Sequence, residues 1–324
     1  MSTWKETFTL NTGAKIPAVG LGTWLSAPGE VRGAVKAALE AGYRHIDAAA
    51  IYNNETEVGQ GIKDSSVPRS EIFLTSKLWN NDRHAKDVEK ALDASLKRLD
   101  TDYLDLYLIH WPVNFASGES RFPQTPSGAI DLADIPISET WGAMEKLVDS
   151  GKVKAVGVSN FNERRIDELL VTAKVVPAVN QIEAHPWLQQ KQLKEWHDRK
   201  GIHITAYSPL GNNIYGKPRV LDDPAIQEIA SSVGEGVDSA QVLIAWAVQR
   251  GTSVVPKSVT VKRIESNFRK VYLSDEAMEK LSSLDKNQRY NAPIDWGVDV
   301  FDSSNPEAIK AAVAEYERTH PVKK

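Results

Sequence analysis

Four residues are of types that together do acid chemistry. Asp47 closes a short apolar run and Tyr52 follows five positions later, while Lys77 and His110 each end or follow a later apolar run. A tyrosine, with a reference pKa near 10, is a weak acid at neutral pH. A neighbouring ammonium stabilises its phenolate and lowers that pKa. Lys77 can supply the ammonium, and Asp47 can hold it protonated and oriented. His110 can hydrogen-bond a carbonyl oxygen and orient the substrate. Tyr52 is then a general acid, poised to protonate an oxygen as negative charge develops on it. Each residue alone has a plainer reading: a buried ion pair, a packed ring, a structural histidine. The weight lies in the combination. The set lacks a nucleophile for this role, and a transferred hydride would fill the gap, which calls for a nicotinamide.

These residues must be positioned by a scaffold, and the chain alternates short apolar strands with amphipathic helices. Residues 7–10 and 15–18 flank Asn11-Thr12-Gly13, a hairpin signal. Strands are predicted over 19–22, 44–47, 72–77, 103–109, 153–158, 178–182, 202–206 and 253–255. Helices are predicted over 30–41, 55–63, 84–99, 139–150, 163–172, 189–200, 224–232 with 239–249, and 261–268. Alternating βα units imply a parallel sheet, and eight of them a closed (β/α)8 TIM barrel. No linker or low-complexity tract interrupts 1–324, so a single domain is expected, with a C-terminal extension from about 285 that is either a flap or an appendage. In such a barrel the site is built at the C-terminal ends of the strands. By this division the strands end on or near Asp47, Lys77, His110, Ser159-Asn160, Gln181, Tyr207-Ser208 and Lys257-Ser258.

Composition removes several classes of function. The chain has no cysteine, which excludes disulfides, thiolate metal sites and Cys nucleophiles. Its 39 Lys+Arg against 43 Asp+Glu leave no basic excess for nucleic acid or an anionic membrane. No apolar stretch approaches the roughly 18 residues that span a bilayer, and the first residues carry no secretory pattern. A soluble cytoplasmic protein acting on a small molecule is expected, and the Asn54-Glu55-Thr56 sequon reads as coincidental.

Gly20-Leu21-Gly22-Thr23-Trp24 lacks the third glycine of the dinucleotide fingerprint, so a Rossmann domain is not supported. The loops after strands 7 and 8 are the usual phosphate site of this barrel. Here they carry Ser208-Pro209-Leu210-Gly211 and Pro256-Lys257-Ser258-Val259-Thr260-Val261-Lys262-Arg263. The second places Lys, Ser, Thr and Arg at a helix N-terminus, a suitable anion cradle. Arg263 could make bidentate contacts to a phosphate or stack on adenine.

The motifs resemble the aldo-keto reductase superfamily. Gly42-Tyr43-Arg44-His45-Ile46-Asp47-Ala48-Ala49-Ala50-Ile51-Tyr52-Asn53-Asn54-Glu55 is similar to its first signature. Leu106-Tyr107-Leu108-Ile109-His110-Trp111-Pro112, Val156-Gly157-Val158-Ser159-Asn160-Phe161 and Val255-Pro256-Lys257-Ser258 are similar to later ones, in order, and the resemblance spans residues 8–291. It implies an NADPH-dependent aldehyde reductase, usually a monomer or dimer. Asp47, Tyr52, Lys77 and His110 match its catalytic tetrad, with Tyr52 as proton donor. Ser159, Asn160 and Gln181 match holders of the nicotinamide carboxamide, and Tyr207 the ring that stacks on nicotinamide. Thr23 and Trp24 are placed beside the cofactor. Ser208, Leu210, Lys257, Ser258, Arg263 and Asn267 match positions along the pyrophosphate, 2′-phosphate and adenine. Trp24, Trp79 and Trp111, with His110, match the substrate pocket, and Phe122 and Trp296 are further candidates there. Many members carry Glu where this chain has Ser266, which removes one adenine contact; Lys257 and Arg263 still favour NADPH over NADH. The Gly211-Asn212-Asn213-Ile214-Tyr215-Gly216 loop and Arg289-Tyr290-Asn291 resemble fungal glyceraldehyde reductases and NADP-linked glycerol dehydrogenases, with erythrose and xylose reductases as near relatives. Two other classes stay open: a cofactor-binding regulatory protein, and a Schiff-base aldolase with Lys77 as nucleophile.

Overall fold

The computed structural model describes residues 2–211 and 216–322. Two short strands, β1 (Thr7–Thr9) and β2 (Lys15–Pro17), pair antiparallel with Phe8 opposite Ile16. Eight parallel strands follow: β3 (Leu21–Gly22), β4 (His45–Asp47), β5 (Phe73–Leu78), β6 (Leu106–Ile109), β7 (Val156–Ser159), β8 (Val179–Glu183), β9 (His203–Tyr207) and β10 (Ser253–Val254). Each pairs with its neighbour in chain order. The sheet closes between its first and last strands. Gly20 and Gly22 N–H donate to the Val254 and Pro256 carbonyls at 2.9 and 3.0 Å, and Val254 N–H donates to Ala18 at 2.8 Å. The barrel expected from the alternation is present.

Closure depends on a missing side chain. A Cβ on Gly22 would stand 2.7 Å from the Val255 carbonyl oxygen, a rigid backbone atom of the closing strand. Gly22→Ala is therefore expected to destabilise the fold by about 1–3 kcal/mol, the usual range for overpacking a dense interior. Urea unfolding of the two proteins checks this.

The helices are α1 (Val31–Ala41), α2 (Glu55–Asp64), α3 (Ala85–Leu99), α4 (Ile137–Asp149), α5 (Glu163–Leu170), α6 (Lys191–Lys200), α7 (Pro224–Val233), α8 (Ser239–Gln249), α9 (Val261–Phe268), α10 (Asp275–Ser282) and α11 (Pro306–Thr319). The inner face of α1, with Val31, Ala34, Val35, Ala38 and Leu39 buried, shows the spacing that the sequence displays. Helix α8 is apolar almost all round and starts with a reciprocal cap between Asp238 and Gln241. Leu10 and Ile16 pack with Phe73, Leu106, Ala155 and Ala178 at the starts of the barrel strands. The hairpin thus plugs the N-terminal end and leaves the C-terminal end open.

Helices α10 and α11 were not expected. The tail is no loose appendage. The turn Ile294–Trp296 and Tyr316 of α11 join an aromatic cluster with Trp79, Phe115 and Trp111. Ser127 and Gln124 fasten α11 through Glu317 and the His320 carbonyl. Residues 212–215 of the loop that resembles the fungal branch lie outside the described residues. Among the described residues no helix is long and apolar enough to cross a membrane.

Candidate active site

The open end of the barrel holds a cleft of about 570 Å³. Asp47 is the last residue of β4, and Tyr52 ends the single turn Ala50–Tyr52 that follows. Lys77 is next to last on β5, and His110 follows β6. Ser159 and Tyr207 end β7 and β9, and Gln181 lies on β8. Asp47, Tyr52, His110, Ser159, Asn160, Gln181 and Tyr207 all line the cleft.

Lys77 lies beneath them, wholly buried. Its Nζ donates to Asp47 Oδ2 at 2.7 Å, to the Ala48 carbonyl at 2.9 Å and to Tyr52 Oη at 3.3 Å. The other Asp47 oxygen accepts from Gln181 Nε2 at 2.7 Å. The three ammonium protons are thereby committed. A Schiff-base nucleophile needs a neutral amine with its lone pair facing a carbonyl, so this geometry speaks against the aldolase reading. Burial lowers the Lys77 pKa, and Asp47 opposes that.

One electrostatic expectation is reversed. The ammonium was expected to lower the Tyr52 pKa, but burial, helped by the Asp47 charge, pushes it well above 10. The phenol therefore keeps its proton until an acceptor arrives. Burial, and then the Lys77 charge, hold the His110 pKa well below its ordinary value. The neutral ring meets Tyr52 and Trp79 edge-on, at centroid distances of 5.7 and 5.2 Å. Its Nδ1 has no hydrogen-bond partner among the described residues.

A second web lies across the floor. Ser159 Oγ donates to the Gln181 carbonyl at 2.7 Å. Asn160 Nδ2 donates to the His110 carbonyl at 3.0 Å, and Tyr207 Oη donates to Asn160 Oδ1 at 2.6 Å. Asn160 and Ser208 adopt φ of 65° and 47°. Left-handed backbone is uncommon outside glycine and clusters where function demands a fixed direction. Thr23 Oγ1 donates to the Asp47 carbonyl, and the buried Asn54 donates to the Thr23 carbonyl. The sequon asparagine thus works as an internal brace.

Trp24, Leu210, Lys257 and Arg263 also line the cleft, with Thr23 and Ser208. Lys257 donates to the Leu25 carbonyl at 2.9 Å, and Arg263 donates to Thr260 Oγ1 at 2.7 Å. Two expected residues are elsewhere. Ser258 Oγ accepts from Thr260 N–H in its own turn, and Asn267 is buried on α9; neither lines the cleft. Helical register places Asn267 on the inner face of its helix, a direction that spacing alone does not reveal. Trp79, Trp111, Phe122 and Trp296 meet one another edge-on and form an aromatic wall of the cleft. Sequence reasoning missed Arg219 and Leu221, which also line it, while Asn291, Ala292 and Pro293 line it from within 287–301, a stretch expected to be a specificity loop.

The sequence profile described as the Aldo/keto reductase family matches residues 18–286. The chain belongs to that family. This aldo/keto reductase is an oxidoreductase with reductase relatives of nearly full length. It is 48% identical to the D/L-glyceraldehyde reductase of Hypocrea jecorina, over 95% of this chain and 96% of that protein. It is 48% identical to aldo-keto reductase family 1 member A1 of Xenopus tropicalis, over 91% and 93%. It is 52% identical to an uncharacterized oxidoreductase of Schizosaccharomyces pombe, over 88% and 90%. Its fold matches the aldose reductase of Schistosoma japonicum with a TM-score of 0.86 at 42% identity, covering 93% of this chain and 100% of that one. The barrel expected from the strand alternation and the family implied by the resemblance are thus both confirmed.

Proposed function

We propose that this reductase converts short hydroxyaldehydes or aldose sugars, glyceraldehyde first among them, to the alcohol with NADPH, using one barrel domain. The observation that carries the reading is the bonded set Asp47–Lys77–Tyr52 on the floor of an aromatic-walled cleft. The likeness to a D/L-glyceraldehyde reductase supports the substrate class.

The donor set suits a nicotinamide dinucleotide. Ser159, Asn160 and Gln181 offer the hydroxyl and amides that would hold a carboxamide, beside the Tyr207 ring. Lys257 and Arg263 offer two cations at the distant end, where a 2′-phosphate would be held. When bound, the reduced cofactor supplies the hydride that the protein's own residues lack. The neutral His110 hydrogen-bonds and orients the substrate carbonyl. Tyr52 gives its proton to the carbonyl oxygen as negative charge builds there. Lys77 stabilises the phenolate that remains, and Asp47 and Gln181 keep Lys77 in place. The tryptophan walls exclude water and suit small uncharged hydroxyaldehydes.

Absorbance assays with glyceraldehyde, comparing NADPH and NADH, test this directly. Lys257→Met should raise the NADPH KM tenfold or more, because a charge-assisted hydrogen bond contributes about 1.5–3 kcal/mol. It should change the NADH KM little. Equal effects on both cofactors would remove Lys257 from the 2′-phosphate. NADPH binding with no turnover of small aldehydes would favour the regulatory reading.

A further inference from the structure

Glu183 is among the buried carboxylates that the catalytic set leaves unused. It ends β8, two residues beyond Gln181 and so on the same face of the strand. It is fully buried. Its Oε1 accepts from Tyr290 N–H at 2.8 Å and lies 2.9 Å from His185 Nε2. Its Oε2 accepts from Asn291 N–H and Asn291 Nδ2, both at 2.8 Å. Burial raises its pKa, but the bonds from His185, Tyr290 and Asn291 outweigh that and hold it below the usual carboxylate value. An ionised carboxylate, an acceptor at both oxygens, suits these donors.

The two residues it holds reach in different directions. Tyr290 Oη donates to the Pro218 carbonyl at 2.6 Å. It also packs against Gly211, where a Cβ would meet Val220 N at 2.7 Å and Tyr290 Oη at 3.1 Å. Leu221 N–H donates to the Leu210 carbonyl at 3.2 Å, so both ends of that loop are fastened together. Leu210, Gly211, Arg219 and Leu221 line the cleft, the first two just after Tyr207-Ser208, where the proposed function places the cofactor. Asn291 stands at the junction of the two sides: its Nδ2 donates to Ser208 Oγ at 3.4 Å, and it begins the wall that continues through Pro293 to Trp296.

We propose that Glu183 is a positioning residue that couples the two halves of the cleft: through Tyr290 it sets Gly211 and residues 218–221 on the cofactor side, and through Asn291 the wall on the substrate side. The inference rests on the cleft binding NADPH at one end and aldehyde at the other. Glu183→Gln presents an amide N–H₂ to groups that are themselves donors, so at least one clamp must open. Tyr290→Phe cuts only the branch to Pro218.

The test is NADPH titration by fluorescence and aldehyde kinetics on the full chain. Tyr290→Phe should raise the NADPH Kd about tenfold and move the aldehyde KM less than about twofold. Glu183→Gln should raise both by about tenfold, more than it lowers kcat. The double variant should bind NADPH no worse than Glu183→Gln alone, since the second change removes a contact already lost. Additive losses would overturn the coupling. So would variants that unfold more easily yet keep Kd and KM within twofold, which would make Glu183 a fold stabiliser only. Should Glu183→Gln fail to fold, Asn291→Ala replaces it, and an unchanged aldehyde KM there overturns the inference. Absence of saturable NADPH binding by the unaltered protein would instead overturn the cofactor reading, and the inference with it.

Discussion

Tyr52→Phe is expected to lower kcat/KM for glyceraldehyde by about 10³-fold, within the range that a positioned general acid contributes. NADPH binding should survive nearly intact, because Tyr52 Oη has its hydrogen bond with Lys77 on the floor of the cleft and not at the cation end. The ring itself stays, so the edge-on contact with His110 is kept and stability should change little. Titration of the two proteins with NADPH, alongside steady-state turnover, separates binding from chemistry. Turnover within tenfold of the unaltered protein would remove Tyr52 from the acid role and leave water or His110 to supply the proton.

The same residue fixes a pH profile. A phenol whose pKa is pushed well above 10 by burial stays protonated, and hence competent to donate, throughout the neutral and mildly alkaline range. His110, held well below its ordinary pKa, is neutral there and loses neutrality only in acid. The fraction of protein with both groups in the working state is therefore constant through the neutral range, and loss of the Lys77 charge, whose pKa burial lowers, sets the alkaline limit. The rate of aldehyde reduction should be flat over that window. A titration near pH 7 that vanished in His110→Gln would show a wetter, charged imidazole and reverse its assigned state.

The reversal at Tyr52 shows where sequence reasoning ends. Strand alternation and the polar residues at strand ends placed Asp47, Lys77, His110, Ser159, Gln181 and Tyr207 at one mouth, because parallel closure forces that convergence. The sign of the Tyr52 shift was not legible. It depends on how much water the folded cleft excludes, a property of packing from many elements at once. Glu183 was missed for a related reason. It lies just past the predicted end of its strand, and its partners at 290–291 are more than a hundred residues away. Asn267 and Ser258 are not among the residues that line the cleft, and side-chain direction of that kind is not legible from spacing. Helices α10 and α11 were overlooked because the repeat pattern had already been completed by the eighth unit, and α11 buries no residue fully.

Lys77→Met should damage stability and chemistry together, and the two losses can be pulled apart. Lys77 and Asp47 are almost entirely out of water and 2.7 Å apart. Removing the ammonium leaves a carboxylate held by Gln181 alone. Breaking one side of a buried pair costs about 3–5 kcal/mol, because the remaining charge has lost its solvation and its partner. The urea midpoint should fall accordingly, and turnover should drop by at least about 10²-fold with the loss of the charge beside the phenolate. Converting Asp47 to Leu as well removes the stranded charge. Uncharged replacements of buried pairs are often neutral in stability, but here Gln181 Nε2 would lose its acceptor, at about 1–3 kcal/mol. The double variant should therefore regain part of the lost stability and none of the lost turnover. Recovery of both would mean that the pair serves the fold alone. Recovery of neither would mean that its hydrogen bonds to Ala48 and Gln181, more than its charges, hold the barrel mouth together.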